Sequence, residues 1–227
     1  MTETRIPGGA TTHRHTRGQP TAAMVRAGLY GLKPWFADRL AAVRGFLLRR
    51  RVSPNTISCC GIGFGAAAGV VLATTQPGPV RAIAVVALLV ARLACANLDG
   101  AVARESGRVG RFGGVVNELG DRGAELATLA GCAFLPGVPG WLLAATALAC
   151  SAPSWVSLAG AAAGAPRVQG GPVGKTERCL LLVVIAAAGH AVPLLYVLAL
   201  GSALTALVRL VRVRALLRLT SPEGTAS

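Results

Sequence analysis

From Pro54 onward the chain is a succession of apolar stretches, each about long enough to be a membrane helix, separated by short breaks rich in Pro, Gly or Arg. No other feature limits the fold as much. Only segments that satisfy their own backbone hydrogen bonds can enter a hydrocarbon core, and about 20 apolar residues in a helix cross it. The stretches read as spans at 54–75, 80–103, 113–135, 138–164, 177–192 and 193–211. Pro136 and Pro139 mark one connection, and Pro166, Gly170, Gly171 and Pro172 mark another. The last boundary is the softest, because the apolar run from Leu180 to Val208 is nearly uninterrupted. Composition agrees: the chain is 53% apolar and 14% charged, where a soluble domain carries about 25% charged residues. The expected fold class is all-α: a polytopic membrane protein of six transmembrane helices preceded by an N-terminal amphipathic interfacial helix.

That interfacial helix is expected within residues 24–52, where Phe36, Leu40, Val43 and Leu47 fall on one helical face and Arg39, Arg44 and Arg49–Arg51 supply charge. Residues 1–23 are polar, have no apolar core of the signal-peptide kind, and read as a disordered tail. Residues 53–215 form the transmembrane domain, and 216–227 a C-terminal tail. Ser53-Pro54 is a helix start, a capping Ser followed by Pro at the first helical position. Gly61, Gly65 and Gly69 recur at four-residue spacing and form a face on which another helix can approach closely.

The net charge of +14 is topological. With an inside N-terminus and six spans, 20 of the 23 Lys+Arg fall in cytoplasmic pieces; only Arg81 falls in an outer loop, and Arg92 and Arg122 lie inside spans. The positive-inside bias therefore predicts a multi-pass cell-membrane protein with cytoplasmic N- and C-termini. Nucleic acid is not an expected partner, since the charges flank spans and are not interleaved with aromatics. The six cysteines form no CxxC pair and no His/Cys cluster, so they read as small buried hydrophobes rather than a zinc site. Ser151 and Ser157 have no His/Asp partners for nucleophilic hydrolysis. Trp35, Trp141 and Trp155 read as interface anchors or core, and His190 as structural.

Acid is scarce, nine Asp+Glu in all, yet Asp99, Glu118, Asp121 and Glu125 sit within or at the ends of the second and third spans. Carboxylates inside a membrane are costly and mark function by default. The competing reading is a set of helix-to-helix ion pairs with Arg92, Arg104 and Arg122, of which Glu118–Arg122 has the i, i+4 spacing. The acids cluster at the cytoplasmic end rather than the midplane, which argues against a transporter.

Asp99-Gly100 is followed after two residues by Ala103-Arg104, after eight more by Gly113, then by Asn117 and Asp121 at four-residue steps. This resembles the signature of the CDP-alcohol phosphatidyltransferase family: Asp, two residues, Asp-Gly, two residues, Ala-Arg, eight residues, Gly, three residues, Asp, three residues, Asp. The basic amphipathic helix, the Ser-Pro-Asn-Thr stretch at the first span, the six-span topology and the Gly174-Lys175 pair are similar too, so the likeness covers nearly all of residues 24–215. It implies transfer of a phosphatidyl or other substituted phosphate group from a CDP-activated lipid, such as CDP-diacylglycerol, to a small alcohol acceptor, with release of CMP. It implies Mg2+ or Mn2+ as cofactor, the bilayer as surroundings, an active site at the cytoplasmic side, and a homodimer. Phosphoryl transfer needs neutralised phosphates and a positioned nucleophile, and carboxylate-held metal supplies the first. By resemblance Asp121 is the general base, and Asp99, Asn117 and Asp121 are metal positions. Asn55, Thr56, Gly100, Arg104, Gly110 and Gly113 stand at CDP-lipid positions. Gly100 and Gly113 let the backbone approach closely, and Arg104 can grip phosphate with two hydrogen bonds. Arg167, Lys175 and Arg178 are candidates for an anionic acceptor, although the same charges also satisfy the positive-inside bias.

Two departures stand out. The first signature Asp falls on Ala96 and the third on Asn117, so two of four carboxylates are replaced. Two divalent cations would carry four positive charges, and the two remaining Asp offset half of that. Glu118 and Glu125, on the face of Asp121, are expected substitutes. The alternative function is a family member that binds CDP-lipid, or scaffolds a partner, without turnover.

Overall fold

The computed structural model describes residues 36 and 38–220, and every regular element among them is helical. In chain order these are α1 (Ala41–Arg49), α2 (Pro54–Thr74), α3 (Pro79–Glu105), α4 (Arg111–Ala130), a 3-10 turn (Gly131–Phe134), α5 (Gly140–Ala162), α6 (Lys175–Ala188) and α7 (Ala191–Thr220). The chain is thus an all-helical protein of the multi-pass membrane type.

Four helices, α2, α3, α5 and the stretch Ala191–Leu219 of α7, are long and apolar enough to cross a membrane. The other two expected spans are helical as well, but of a different character. α4 carries Glu118, Asp121, Arg122 and Glu125 along its length. α6 has 14 residues and rises only about 21 Å, less than the roughly 30 Å of a hydrocarbon core.

Of the amphipathic helix expected over 24–52, residues 24–35 and 37 lie outside the described residues, as do the expected tail at 1–23, the anchor Trp35 and residues 221–227 of the tail expected over 216–227, whose first five residues instead continue α7. Within α1, Leu47 and Leu48 join Leu40 and Val52 against Ile57, Cys95, Leu98 and Val102. Val43 of the expected apolar face stays exposed. Arg51 then takes the left-handed position, φ 52, that glycine usually fills after a helix. It turns the chain sharply into α2, where Pro54 stands at the start and Ser53 is extended but makes no side-chain capping bond.

The glycine stripe of α2 faces α3 and α4. A Cβ on Gly65 would lie 2.9 Å from Cα of Ala124, and one on Gly61 would lie 3.2 Å from Cβ of Cys95. Gly69 faces the backbone of Ala127 and Gly131 in the same way. Thr128 clips the contact by donating its hydroxyl to the Gly65 carbonyl at 3.0 Å. The backbones of α2 and α4 therefore touch.

The main apolar core, with Leu72, Leu89, Leu142, Ile185, Leu195 and Leu198, fills the half of the bundle opposite the acidic cluster. At that far end Arg81, expected in an outer loop, is instead inside the first turn of α3 and only 3% exposed. Its guanidinium donates to the carbonyls of Ala186 (2.8 Å), Ile185 (3.0 Å), Thr75 (3.0 Å) and Leu72 (3.4 Å). These carbonyls lie at the C-terminal ends of α2 and α6, where a cation is favoured; those of Ile185 and Ala186 also accept the amides of Gly189 and Gly78.

The boundary expected at 192/193 lies earlier. Gly189 adopts φ 72 and ends α6, and α7 restarts at Ala191 with Pro193 already in its first turn. The reason is local: Gly tolerates the left-handed cap, whereas Pro is acceptable in a first turn, where its missing N–H has no partner to lose.

Candidate active site

The site lies where the C-terminal half of α3, the N-terminal half of α4 and the starts of α2 and α6 converge. Asp99 is 4% exposed. Its Oδ2 accepts the Ser58 hydroxyl at 2.8 Å, and its Oδ1 accepts the Gly100 amide at 2.6 Å. Buried and bonded at both oxygens, it has one fixed orientation. Asn117 and Asp121 stand one turn apart on α4 and face it. Together with Ser58, Arg92 and Ala96 they line a small void of about 10 Å³, room for roughly one water-sized particle.

Two larger cavities open on either side. The first, of about 330 Å³, runs from Ser53 and Asn55 along Asp99, Gly100 and Arg104 to the start of α4. There Gly110 is the N-cap, Gly113 and Gly114 line the wall, and a Cβ on either of the latter two would meet nothing within 4 Å. Backbone amides at a helix start with no side chains over them suit a phosphate group. Thr56, expected here with Asn55, is exposed on α2 and does not line the cavity.

The second cavity, of about 450 Å³, is bounded by α3 to α7 and the segment before α6. It shares Gly100, Arg104, Gly114 and Asn117 with the first, so these residues form the wall between the two. All three expected acceptor cations line it, with different commitments. Lys175 reaches Asp121, Nζ to Oδ2, at 2.6 Å. Arg167 pairs with Glu118 at the more exposed side. Arg178 is buried, 2.7 Å from Glu125, and donates to the Cys150 carbonyl at 2.8 Å.

These pairs correct the expected substitutes. Glu125 is enclosed by Arg122 and Arg178, and Arg122 takes Glu125 at i, i+3 instead of Glu118 at i, i+4. Glu118 is held by Arg167. Both glutamates are thereby drawn off the void between Asp99 and Asp121.

Two contributors, Ser58 and Arg209, are not among the expected site residues, and a third, Arg92, is expected only as a charge inside a span. Ser58 lies three residues before Gly61, on the same side of α2 as the Gly61–Gly65–Gly69 stripe, and a polar residue beside that contact face is the signal that could have found it. Arg92, 2% exposed, donates to the Asp121 carbonyl at 3.2 Å, approaches Cys179 Sγ at 3.6 Å, and leaves its Nε buried without a hydrogen bond. Arg209 bridges Gly170, Pro153 and Ser157 at the floor of the second cavity. Nothing in the local sequence marks Arg209, whereas a lone Arg inside an apolar span does mark Arg92.

Among the described residues no three His, Cys, Asp or Glu converge on a single point. Two carboxylates and one amide oxygen surround a void of one-ion size, which suits one divalent cation completed by phosphate oxygens or water. It does not offer ligands for a pair of cations, because Ala96 brings none.

A model of the CDP-alcohol phosphatidyltransferase family matches residues 51–213. The chain is 29% identical over 226 residues to a phosphatidylinositol phosphate synthase of Streptomyces avermitilis, covering 87% of this chain and 90% of that one. It is 27% identical over 153 residues to inner membrane protein YnbA of Escherichia coli K12, covering 67% and 76%. In fold it is similar to the phosphatidylinositol phosphate synthase of Mycobacterium tuberculosis. The crystal structure of that protein with manganese and citrate matches with a TM-score of 0.58 at 22% identity, covering 82% of this chain and 91% of that one. Its structure with CDP-DAG bound matches at 0.56 and 21%, covering 82% and 96%. The matched segment contains all of α2 to α6 and the whole acidic site, and so the chain belongs to the CDP-alcohol phosphatidyltransferase family.

Proposed function

We propose that the chain transfers a phosphatidyl group from CDP-diacylglycerol or a similar CDP-activated lipid to an anionic, phosphorylated alcohol, releasing CMP. One observation carries this reading: two cavities meet across a shared wall of Gly100, Arg104, Gly114 and Asn117, with Asp99 and Asp121 at the junction. The first cavity suits the diphosphate, given Arg104 and the bare start of α4. The second suits the acceptor, because it is lined by cations on four helices and by Arg167.

In the reaction Asp121 takes the proton of the acceptor hydroxyl on Oδ1, while Lys175 holds Oδ2. The acceptor oxygen bonds to the phosphorus of the lipid phosphate, and the bond from that phosphorus to the oxygen of CMP breaks, CMP leaving with the electron pair. A divalent cation, Mg2+ or Mn2+, held by Asp99, Asn117 and Asp121 would neutralise the phosphate charge. Ser58 and Gly100 orient Asp99 throughout.

A phosphorylated acceptor is supported by the cationic second cavity and by the Streptomyces relative, a phosphatidylinositol phosphate synthase. The six-span arrangement, with α4 and α6 inside the bundle, both termini and the site at the cytoplasmic side, is part of the same proposal, as is a homodimer. The test supplies CDP-diacylglycerol, Mn2+ and a panel with inositol phosphate, glycerol 3-phosphate and uncharged polyols. CMP with a phosphorylated acceptor and none with polyols is expected. Ala96, Asn117 and the Lys175–Asp121 pair favour a second reading, CDP-lipid binding without turnover; bound CDP-lipid with no CMP from any acceptor would establish it.

A further inference from the structure

We propose that this centre works with one bound divalent cation rather than two, with the ammonium of Lys175, fixed on Asp121, supplying positive charge beside it. The inference rests on the transferase reading above and says how its charge is balanced.

The ligand set points this way first. Ala96 and Asp99 lie three residues apart on one face of α3, and both line the small void with Asn117 and Asp121. A methyl group and an amide stand where two further carboxylates would be needed for two ions. Glu118 and Glu125 are tied to arginines and do not fill the gap.

Charge points the same way. Around the void, Asp99 and Asp121 carry two negative charges, and Arg92 and Lys175 carry two positive ones. The cluster is neutral before any metal arrives. A CDP-lipid diphosphate brings about two negative charges, which Arg104 and one divalent cation already more than offset. With Arg104 also on the diphosphate, a second cation would leave three uncompensated positive charges beside a half-buried site, which is costly.

Lys175 is also built to be fixed. It is the first residue of α6, whose positive dipole end adds to its charge. The chain before it is pinned: the Val173 amide donates to Thr205 Oγ1 at 2.9 Å, and that hydroxyl donates to the Val173 carbonyl at 3.1 Å. The Gly174 amide donates to Glu177 Oε2 at 3.1 Å. A compact ammonium held 2.6 Å from Asp121 Oδ2 is a point charge at a carboxylate, as a metal ion is.

Mn2+ binding to the purified full chain in detergent, followed by electron paramagnetic resonance without substrate, tests this. The wild type is expected to bind one Mn2+ per chain. Lys175→Met and Lys175→Gln are expected to bind that ion at least about fivefold more tightly, because a like charge has gone, while Lys175→Arg keeps wild-type affinity. Ala96→Asp/Asn117→Asp/Lys175→Met is expected to bind two. Two ions or none in the wild type, or unchanged affinity in both neutral variants, would overturn the proposal. CDP-diacylglycerol binding, measured on the same samples without metal, reports on the transferase reading separately: its loss with a correct ion count condemns that reading and not the metal count.

Discussion

Gly65 couples helix packing to the site, and replacing it with Ala tests that coupling. The new Cβ would stand 2.9 Å from Cα and C of Ala124, and closer still to its carbonyl oxygen. Carbon atoms rest at about 3.5–4.0 Å. Since the neighbour is backbone, α2 and α4 must part by roughly 0.5–1 Å. Ser58 lies seven residues from Gly65, about 10 Å along α2, so the shift reaches the hydroxyl that holds Asp99. Overpacking of this kind costs about 1–3 kcal/mol, and a misplacement of about 1 Å at a reacting centre can cost up to about 100-fold in rate. Helix propensity alone predicts the opposite sign, a gain of about 1 kcal/mol for Gly→Ala. Gly63 is the control, because a Cβ there meets nothing within 4 Å. Thermal unfolding and the initial rate of CMP release, measured on both variants, separate the two effects. Gly63→Ala should match or exceed wild-type stability with full activity, and Gly65→Ala should lose both stability and at least about tenfold in rate. A Gly65→Ala protein indistinguishable from Gly63→Ala would refute the close-contact account.

Two further variants probe the ends of the bundle. Arg81→Met removes a donor from four carbonyls, of which those of Ile185 and Ala186 keep a backbone donor, so it should destabilise by about 1–3 kcal/mol; at a temperature where it is still folded its turnover should be normal, because Asp99 is about 27 Å further along α3, and wild-type thermal stability would contradict the capping role. Glu118→Gln frees Arg167, so it should change KM for a phosphorylated acceptor and leave Mn2+ affinity unaltered; a loss of more than about tenfold in Mn2+ affinity would return Glu118 to the ligand set.

Much of the fold was legible because membrane helices announce themselves by composition and breaks. Pro54 at a helix start and the Gly61–Gly65–Gly69 contact face follow from local chemistry, and both hold in the structure. The α6–α7 break was misplaced because Pro193 is the louder signal, although Gly189 has the conformation that ends a helix. Within the site, the signature spacing put Asp99, Asn117 and Asp121 on the right faces, and they do line one void. What spacing could not show is how each helix is rotated against its neighbours. That rotation decides that Arg122 takes Glu125, that Arg167 takes Glu118, and that Lys175 reaches Asp121 across 54 residues of chain. Arg81 was misread for the same reason, since a loop cation and a helix-end clamp look alike until α2 and α6 are placed beside it.

The claim at the centre of this account is that Asp121 accepts the acceptor proton at a junction between a CDP-lipid cavity and an acceptor cavity. The direct measurement is CMP and lipid product formed from CDP-diacylglycerol and a phosphorylated alcohol with Mn2+, quantified by mass spectrometry for wild type and for Asp121→Asn, which keeps the side-chain shape. One CMP per lipid product in the wild type, and at least about a hundredfold slower release in Asp121→Asn, is the predicted result. CMP release that persists at the wild-type rate in Asp121→Asn would contradict it.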